Sequence, residues 1–265
     1  MRKIAFPIAL ILVCLFSQQF SSHADSHPRI YATGTKFFAA ATCWGLSATG
    51  TMEILESTEL NEESVILARA RVIKLGGLLG FLVKFLRVYK GSNTFDSYID
   101  PDTRMTTQYE VYKLKDDGSK KINDRIYFDR EQNIVKSLES DETFISSASP
   151  DIQDAYSIFL NLLSRINTEN LFVGKKYAVN LYSYRKAANV EIEVTRFSMV
   201  DGRPIYTLEI EELPEMFKYP ASVSLKVTDV GDGFMLVTEG ECIIHIPVLP
   251  DVNVDIEVKV LKLAS

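Results

Sequence analysis

The chain reads as an all-β protein, mainly antiparallel: a strongly curved sheet or an open or closed β-barrel, with one short helix near residues 150–166. Three observations predict this. Several stretches alternate apolar and polar residues with period two, which sends every second side chain to the same face of a sheet. Clusters of Asp, Gly and Pro punctuate those stretches. A single segment, beginning at Ser149, shows helical spacing instead.

In chain order, Lys36 to Leu46 and Gly50 to Glu56 read as two strands joined by a turn of small residues, and Ser64 to Ile73 as a third. Tyr109–Leu114 and Ile122–Phe128 flank Asp116-Asp117-Gly118 and read as a hairpin. The helix has Ser149 as its expected N-cap, Pro150 in its first position and Asp151 and Asp154 in its first turn, where the helix dipole favours acids. Ile152, Ala155, Phe159, Leu162 and Leu163 then form one apolar stripe as far as Arg165. Strict alternation returns in Val190–Val194, Tyr206–Ile210, Val223–Val227 and Val252–Val260, each with one apolar and one polar face. Asp201-Gly202, Asp232-Gly233 and Pro250-Asp251 separate them. No linker, low-complexity tract or repeat divides residues 25–265, so they are expected to form one domain.

The start of the chain has another purpose. Met1-Arg2-Lys3 is positive, Ile4 to Phe16 is almost wholly apolar, and Ser22-His23-Ala24 offers small residues where a signal peptidase cuts. Residues 1–24 are therefore expected to be a signal peptide, and the protein to be exported to the periplasm or beyond the cell. The apolar run is shorter than the roughly 20 residues a membrane helix needs, so no transmembrane span is expected after cleavage. The full chain carries a net charge of −6, and losing Arg2 and Lys3 makes the remainder more acidic still. Such a balance suits neither a phosphate backbone nor an anionic lipid surface, which excludes nucleic acid as the expected partner.

Motifs that carry chemistry are scarce. Of the 3 cysteines, Cys43 and Cys242 outlast cleavage. They form a candidate disulfide, the alternative being two buried, inert thiols. His245 lies in the apolar run Ile243–Ile246 and reads as a sheet residue, and no second fixed histidine is present to build a zinc site. Glu211, Glu212, Glu239 and Glu241 fall on the expected wet faces, while Asp100-Pro101-Asp102 reads as turn chemistry. No catalytic residue, metal ligand or cofactor is assigned. Leu75 to Leu86 is a compact apolar segment, its first nine residues bounded by Lys74 and Lys84, in which Leu78, Leu79, Phe81, Leu82 and Phe85 offer a candidate ligand or partner surface. The plainer reading makes it a plug for the sheet's concave face.

Trp44-Gly45-Leu46, Ala68-Arg69-Ala70, Ser97-Tyr98-Ile99-Asp100, Phe128-Asp129, Asp154-Ala155-Tyr156-Ser157 and Gly174-Lys175 occur in a familiar order. Together they resemble the domain-of-unknown-function family numbered 3108, over roughly Phe37 to Leu263. The resemblance implies a secreted or envelope-associated all-β protein with no established reaction, so it transfers no catalytic residue. The chain lacks the proline that family tends to place after the acidic turn at Asp232-Gly233. Asp154 and Ser157, one helical turn apart, are expected to hydrogen-bond a loop or strand end, or else to line a pocket mouth. Three functions compete: a binding module for a hydrophobic small molecule, an assembly module that docks envelope proteins, and a carboxylate-dependent hydrolase of envelope polymers.

Overall fold

A computed structural model describes residues 30–43, 46–75, 93–115, 117–183, 185–213, 221–231, 233–245 and 251–262. The expected signal peptide therefore lies outside the described residues, as do Trp44, Gly45, His27 and the apolar segment with Leu78, Leu79, Phe81, Leu82 and Phe85. The first nine strands are β1 (Lys36–Cys43), β2 (Leu46–Ile54), β3 (Thr58–Leu60), β4 (Glu63–Leu75), β5 (Thr94–Ile99), β6 (Thr106–Leu114), β7 (Lys120–Asp129), β8 (Ile134–Ser137) and β9 (Thr143–Ile145). The helix α1 (Ala155–Thr168) follows, and then β10 (Lys176–Ser183), β11 (Lys186–Val200), β12 (Arg203–Leu213), β13 (Ala221–Asp229), β14 (Met235–Ile244) and β15 (Val252–Lys262).

These strands form one antiparallel sheet. Its spatial order is β10-β11-β12-β13-β14-β15-β1-β2-β4-β5-β6-β7-β8-β9, with β3 paired to β4 alone. The order is sequential within each half, as hairpin connections dictate, and the two halves join where β1 pairs with β15. The alternation read from the sequence sets the faces. In β13, Ala221, Val223, Leu225 and Val227 are buried while the residues between them are not. The wet-face glutamates are where alternation puts them: Glu239 and Glu241 are exposed, and Glu239 pairs with Lys226 at 2.9 Å.

The sheet is open and strongly curved around α1, which touches β4 and β5 from one half and β10 and β14 from the other. Ile158, Leu160, Leu162 and Leu163 are fully buried, and Tyr156, Phe159 and Ile166 nearly so. Burial of each large apolar side chain is worth about 1.5–3 kcal/mol, so the helix is the densest source of core stability. It thus fills the concave face.

The two edge strands, β9 and β10, do not pair. The seam between them is filled by the segment leading into α1. Gln153 N–H donates to Asn180 C=O at 3.0 Å, and Tyr182 N–H donates to Gln153 C=O at 2.8 Å. Beneath it a second apolar cluster joins Ile126, Phe128 and Val135 to Ile152 and Tyr182. Arg185 spans the outside, paired with Glu142 at 2.9 Å and lying 4.3 Å from the Phe144 ring centre.

Three expectations need correction. The helix starts five residues later than Ser149 predicts: its N-cap is Asp154, and residues 150–153 are claimed by the β10 edge. The small-residue turn expected near 47–49 is interior strand, with Ala48 opposite Ala41 and Gly50 opposite Ala39. Small residues here serve close approach of strands. Nor do Cys43 and Cys242 form a disulfide. Cys242 is a free, buried thiol whose strand partner is Val254 on β15, and β15 separates it from β1. Two strand spacings make about 9.5 Å, beyond the roughly 7 Å limit for bridging.

Gly50 shows how tightly the first strands pack: a Cβ there would sit 2.8 Å from the backbone oxygen of Arg71. Gly50→Ala is expected to lower stability by about 1–3 kcal/mol, read as a reduced urea midpoint at unchanged slope. An unchanged midpoint would show that β2 and β4 separate freely.

Candidate functional site

Where β1, β2, β4 and β5 face the start of α1, the interior is incompletely filled. Phe37, Met52, Phe95, Tyr156, Phe159 and Val258 line an apolar recess of about 40 Å³ that opens to solvent. Ala39, Gly50 and Ala70 contribute small surfaces that leave the space unoccupied. Its walls are rigid aromatics. Phe37 meets Phe159 edge-on at 5.5 Å, and Phe95 packs 5.9 Å from Tyr156. Tyr109 completes the stack, 6.3 Å from Phe95 and 6.0 Å from Tyr156. Such offset and edge-on pairs are favourable beyond their burial, which holds the walls apart.

Directly beside the recess lies a buried polar cluster that positions Tyr156 and Phe159. Asp154 is 1% exposed, and one of its carboxylate oxygens accepts from the N–H groups of Tyr156 at 2.7 Å and Ser157 at 3.3 Å. These are helix donors that lack a partner within α1, so this is N-capping. The other oxygen meets three hydroxyls: Ser97 of β5 at 2.6 Å, Thr106 of β6 at 2.6 Å and Ser157 at 2.9 Å. Arg130 adds a second clamp, donating to the carbonyls of Pro150 at 2.8 Å and Thr106 at 2.7 Å. Burial lowers its pKa to about 10. The structure places Asp154 and Ser157 together, bonded to each other, to Ser97 within β5 and to Thr106 at the start of β6.

On the opposite, convex face the registers align a row of charges across six strands. Lys36 faces Glu53, Glu53 faces Arg69, Arg69 faces Asp96, Asp96 faces Glu110, and Glu110 faces Arg125. Asp96 is fully buried and held by Arg69 in a two-pronged pair at 2.6 and 2.7 Å, by Lys120 at 3.0 Å and by the Tyr112 hydroxyl. Glu110 is held by Arg125 at 2.8 Å, Lys120 at 3.2 Å and the Tyr98 hydroxyl at 3.1 Å. The hydrogen bond to Asp96 raises the Arg69 pKa further. Two carboxylates therefore do oppose each other, each paired with cations from the neighbouring strands.

Sequence reasoning reached Asp154 and Ser157 but missed Ser97, Thr106, Asp96 and Glu110. The signal was present in β5, whose six residues are all buried although three are Thr94, Asp96 and Ser97. Polar residues on both faces of a fully covered strand mark a site of obligatory pairing. Asp100 caps its own turn, accepting from Asp102 N–H at 2.9 Å and Thr103 N–H at 2.6 Å. His245 follows β14 and pairs on the surface with Asp251 at 3.1 Å. Among the described residues no three His, Cys, Asp or Glu side chains gather at metal-binding distance, and no helix is long and apolar enough to cross a membrane.

A curved antiparallel sheet filled by one capped helix, with an apolar recess beside the cap, defines the class. The family described as "Protein of unknown function (DUF3108)" matches residues 41–229, and the chain belongs to that family. No curated protein matches the chain. Among solved structures, LprF from Mycobacterium bovis is similar at 10% identity and TM-score 0.28, over 89% of this chain and 88% of that one. A DUF1329 family protein from Desulfovibrio piger is similar at 9% identity and TM-score 0.29, over 86% and 85%. Scores this low carry no functional weight.

Two outcomes follow from this chemistry. Asp154→Ala removes the cap and takes the shared carboxylate acceptor from three buried hydroxyls, so it is expected to cost about 3 kcal/mol in urea unfolding, against about 1 for Ser157→Ala. Equal costs would mean the carboxylate is not the centre of the cluster. The second concerns alkali. Burial pushes the Cys242 thiol up to about 12 from 9.0, and burial likewise raises the hydroxyls of Tyr98, Tyr112, Tyr177 and Tyr182. The folded state then keeps protons that the unfolded chain releases. Stability should be full below pH 9 and fall steadily as pH rises towards 12, and a flat urea midpoint over that window would contradict it.

Proposed function

We propose that this protein is an exported, non-enzymatic binding module that takes up the apolar end of a small hydrophobic molecule between α1 and strands β1, β2, β4 and β5. The observation that supports this reading is the recess itself: an aromatic-walled hollow between the sheet and the start of α1. Interiors of folded proteins leave few voids larger than a water molecule. Pockets for small ligands have this character, an apolar lining with few polar groups at the rim.

The hollow of about 40 Å³ holds roughly three water-sized groups. The ligand in this reading seats the tip of a chain or one ring edge, with its remainder along the opening. Deeper entry requires Met52 to move, and methionine is the most adaptable core side chain. The capped helix end and the row of ion pairs hold the surrounding frame while it does so.

Solvent extraction of the purified protein, with mass spectrometry of the extract, tests this directly; a co-purified amphiphile is expected. The environment-sensitive probe N-phenyl-1-naphthylamine should brighten on binding, and Ala39→Phe, which fills the recess, should weaken that binding at least tenfold. An empty extract together with no probe binding by the unaltered protein overturns the reading.

A further inference from the structure

The strand β11 extends well beyond its outer neighbour β10. β10 pairs with β11 only from Ser183↔Lys186 to Lys176↔Glu193. Val194 is then bonded by the turn before β10, through Gly174 N–H at 2.7 Å and the Lys175 carbonyl at 2.8 Å. From there to the hairpin tip, among the described residues, the outer edge of β11 has no partner. The neighbouring edge strand differs, since the outer side of β10 takes the segment around Gln153.

The free stretch is apolar. Phe197 is 50% exposed, Met199 57% and Val200 49%. Phe197 packs on Tyr206 with ring centres 5.0 Å apart, so Phe197, Met199 and Tyr206 share one face. Natural edges are guarded by lysines, prolines or inward charges, and none stands among residues 196–200 of the edge apart from Arg196 at its base.

The bonding groups of this edge can be assigned. Asp201 and Gly202 both have positive φ, 51° and 75°, which is the two-residue turn whose flanking pair, Val200↔Arg203, is hydrogen-bonded. Bonded and non-bonded pairs alternate. Ser198 and Arg196 therefore also bond inward to β12, while Phe197 and Met199 direct their N–H and C=O groups outward. The Pro204 carbonyl, opposite Met199, agrees: it faces β13, accepting from the Thr228 hydroxyl at 3.0 Å.

We propose that Arg196–Val200 is a self-pairing edge, at which a second copy of this chain adds its own Arg196–Val200 antiparallel about a twofold axis through Ser198. The register argues for this occupant. A twofold centre on Ser198 puts Phe197 of each copy opposite Met199 of the other, the outward-bonding residues on both sides, in a favourable aromatic–thioether pair. Arg196 falls opposite Val200, so no like charges meet. The five residues available are the five the pairing uses, because the turn at Gly174 blocks any longer ladder. Isologous contacts of this kind join one patch to itself. The contact is smaller than the roughly 1,200 Å² of a standard stable interface, so the dimer is weak and dissociates on dilution.

Sedimentation velocity on the full protein from roughly 10 µM to 1 mM, the span of weak association, should show a monomer moving reversibly to dimer. Met199→Lys should keep it monomeric throughout, with an unchanged circular dichroism spectrum. Register is read by cross-linking: Ser198→Cys should form a disulfide-linked dimer on mild oxidation, since facing non-bonded residues lie about 4.5 Å apart at Cα. Arg196→Cys should link only to Val200→Cys in a mixture. A monomer at the highest concentration overturns the proposal, as does a dimer that Met199→Lys leaves intact or that Ser198→Cys fails to link. Phe197-dependent flotation of a persistent monomer with phosphatidylglycerol vesicles would assign the surface to lipid and overturn it too.

Discussion

The carboxylate of Asp154 is the point on which this fold turns. Among the described residues, one helix has to be held inside a curved sheet whose two edge strands do not pair. Apolar contacts around α1 are strong but non-directional, and would tolerate sliding of the helix along its axis. Asp154 removes that freedom by capping the helix with one oxygen and gathering hydroxyls from β5 and β6 with the other. Removed from water, those hydroxyls have no alternative acceptor of equal strength. At the far end Asn167 repeats the arrangement with neutral groups, donating to the Met235 carbonyl at 2.8 Å and accepting from its N–H at 2.6 Å. The helix is fixed at both ends, and the recess lies beside the stronger fixture.

The charged row on the convex face answers a different problem. Burying ions costs several kcal/mol apiece, and an apolar strip of the same volume is often as stable. What the ions add is alignment. Arg69, Asp96, Glu110 and Arg125 satisfy one another only when β4 to β7 are in this register. A slip of one residue would send each to the opposite face, so the row penalises misalignment in the stretch of sheet that carries the recess walls.

Much of the architecture was legible because period-two alternation is imposed by the backbone and survives any tertiary context. β15 appears in the sequence nearly to its ends, whereas alternation marks only the middles of β11, β12 and β13, whose ends extend several residues further. The helix was visible through its apolar spacing, but its start was displaced because Ser149, Pro150 and Asp151 form a good local cap, and that local preference lost to the strand edge at Asn180 and Tyr182. β8, β9 and β10 are short or irregular in pattern and became strands through their neighbours. The recess was not legible. Phe37, Met52, Phe95 and Phe159 look like any core residues in sequence, and a hollow among them arises from how far apart their walls are held. Asp154 and Ser157 were visible by spacing, whereas their partners Ser97 and Thr106 come from strands some 50 residues away.

The pairing of β1 with β15 couples the extremes of the described chain, Lys36 beside Lys262. Its consequence is temporal. During synthesis, β1 keeps one flank bare until β15 emerges, so the sheet cannot be completed progressively from its beginning. Contacts so distant along the chain make folding slow. The nascent protein thus spends a long interval with its sheet unfinished, a state that requires shelter from aggregation.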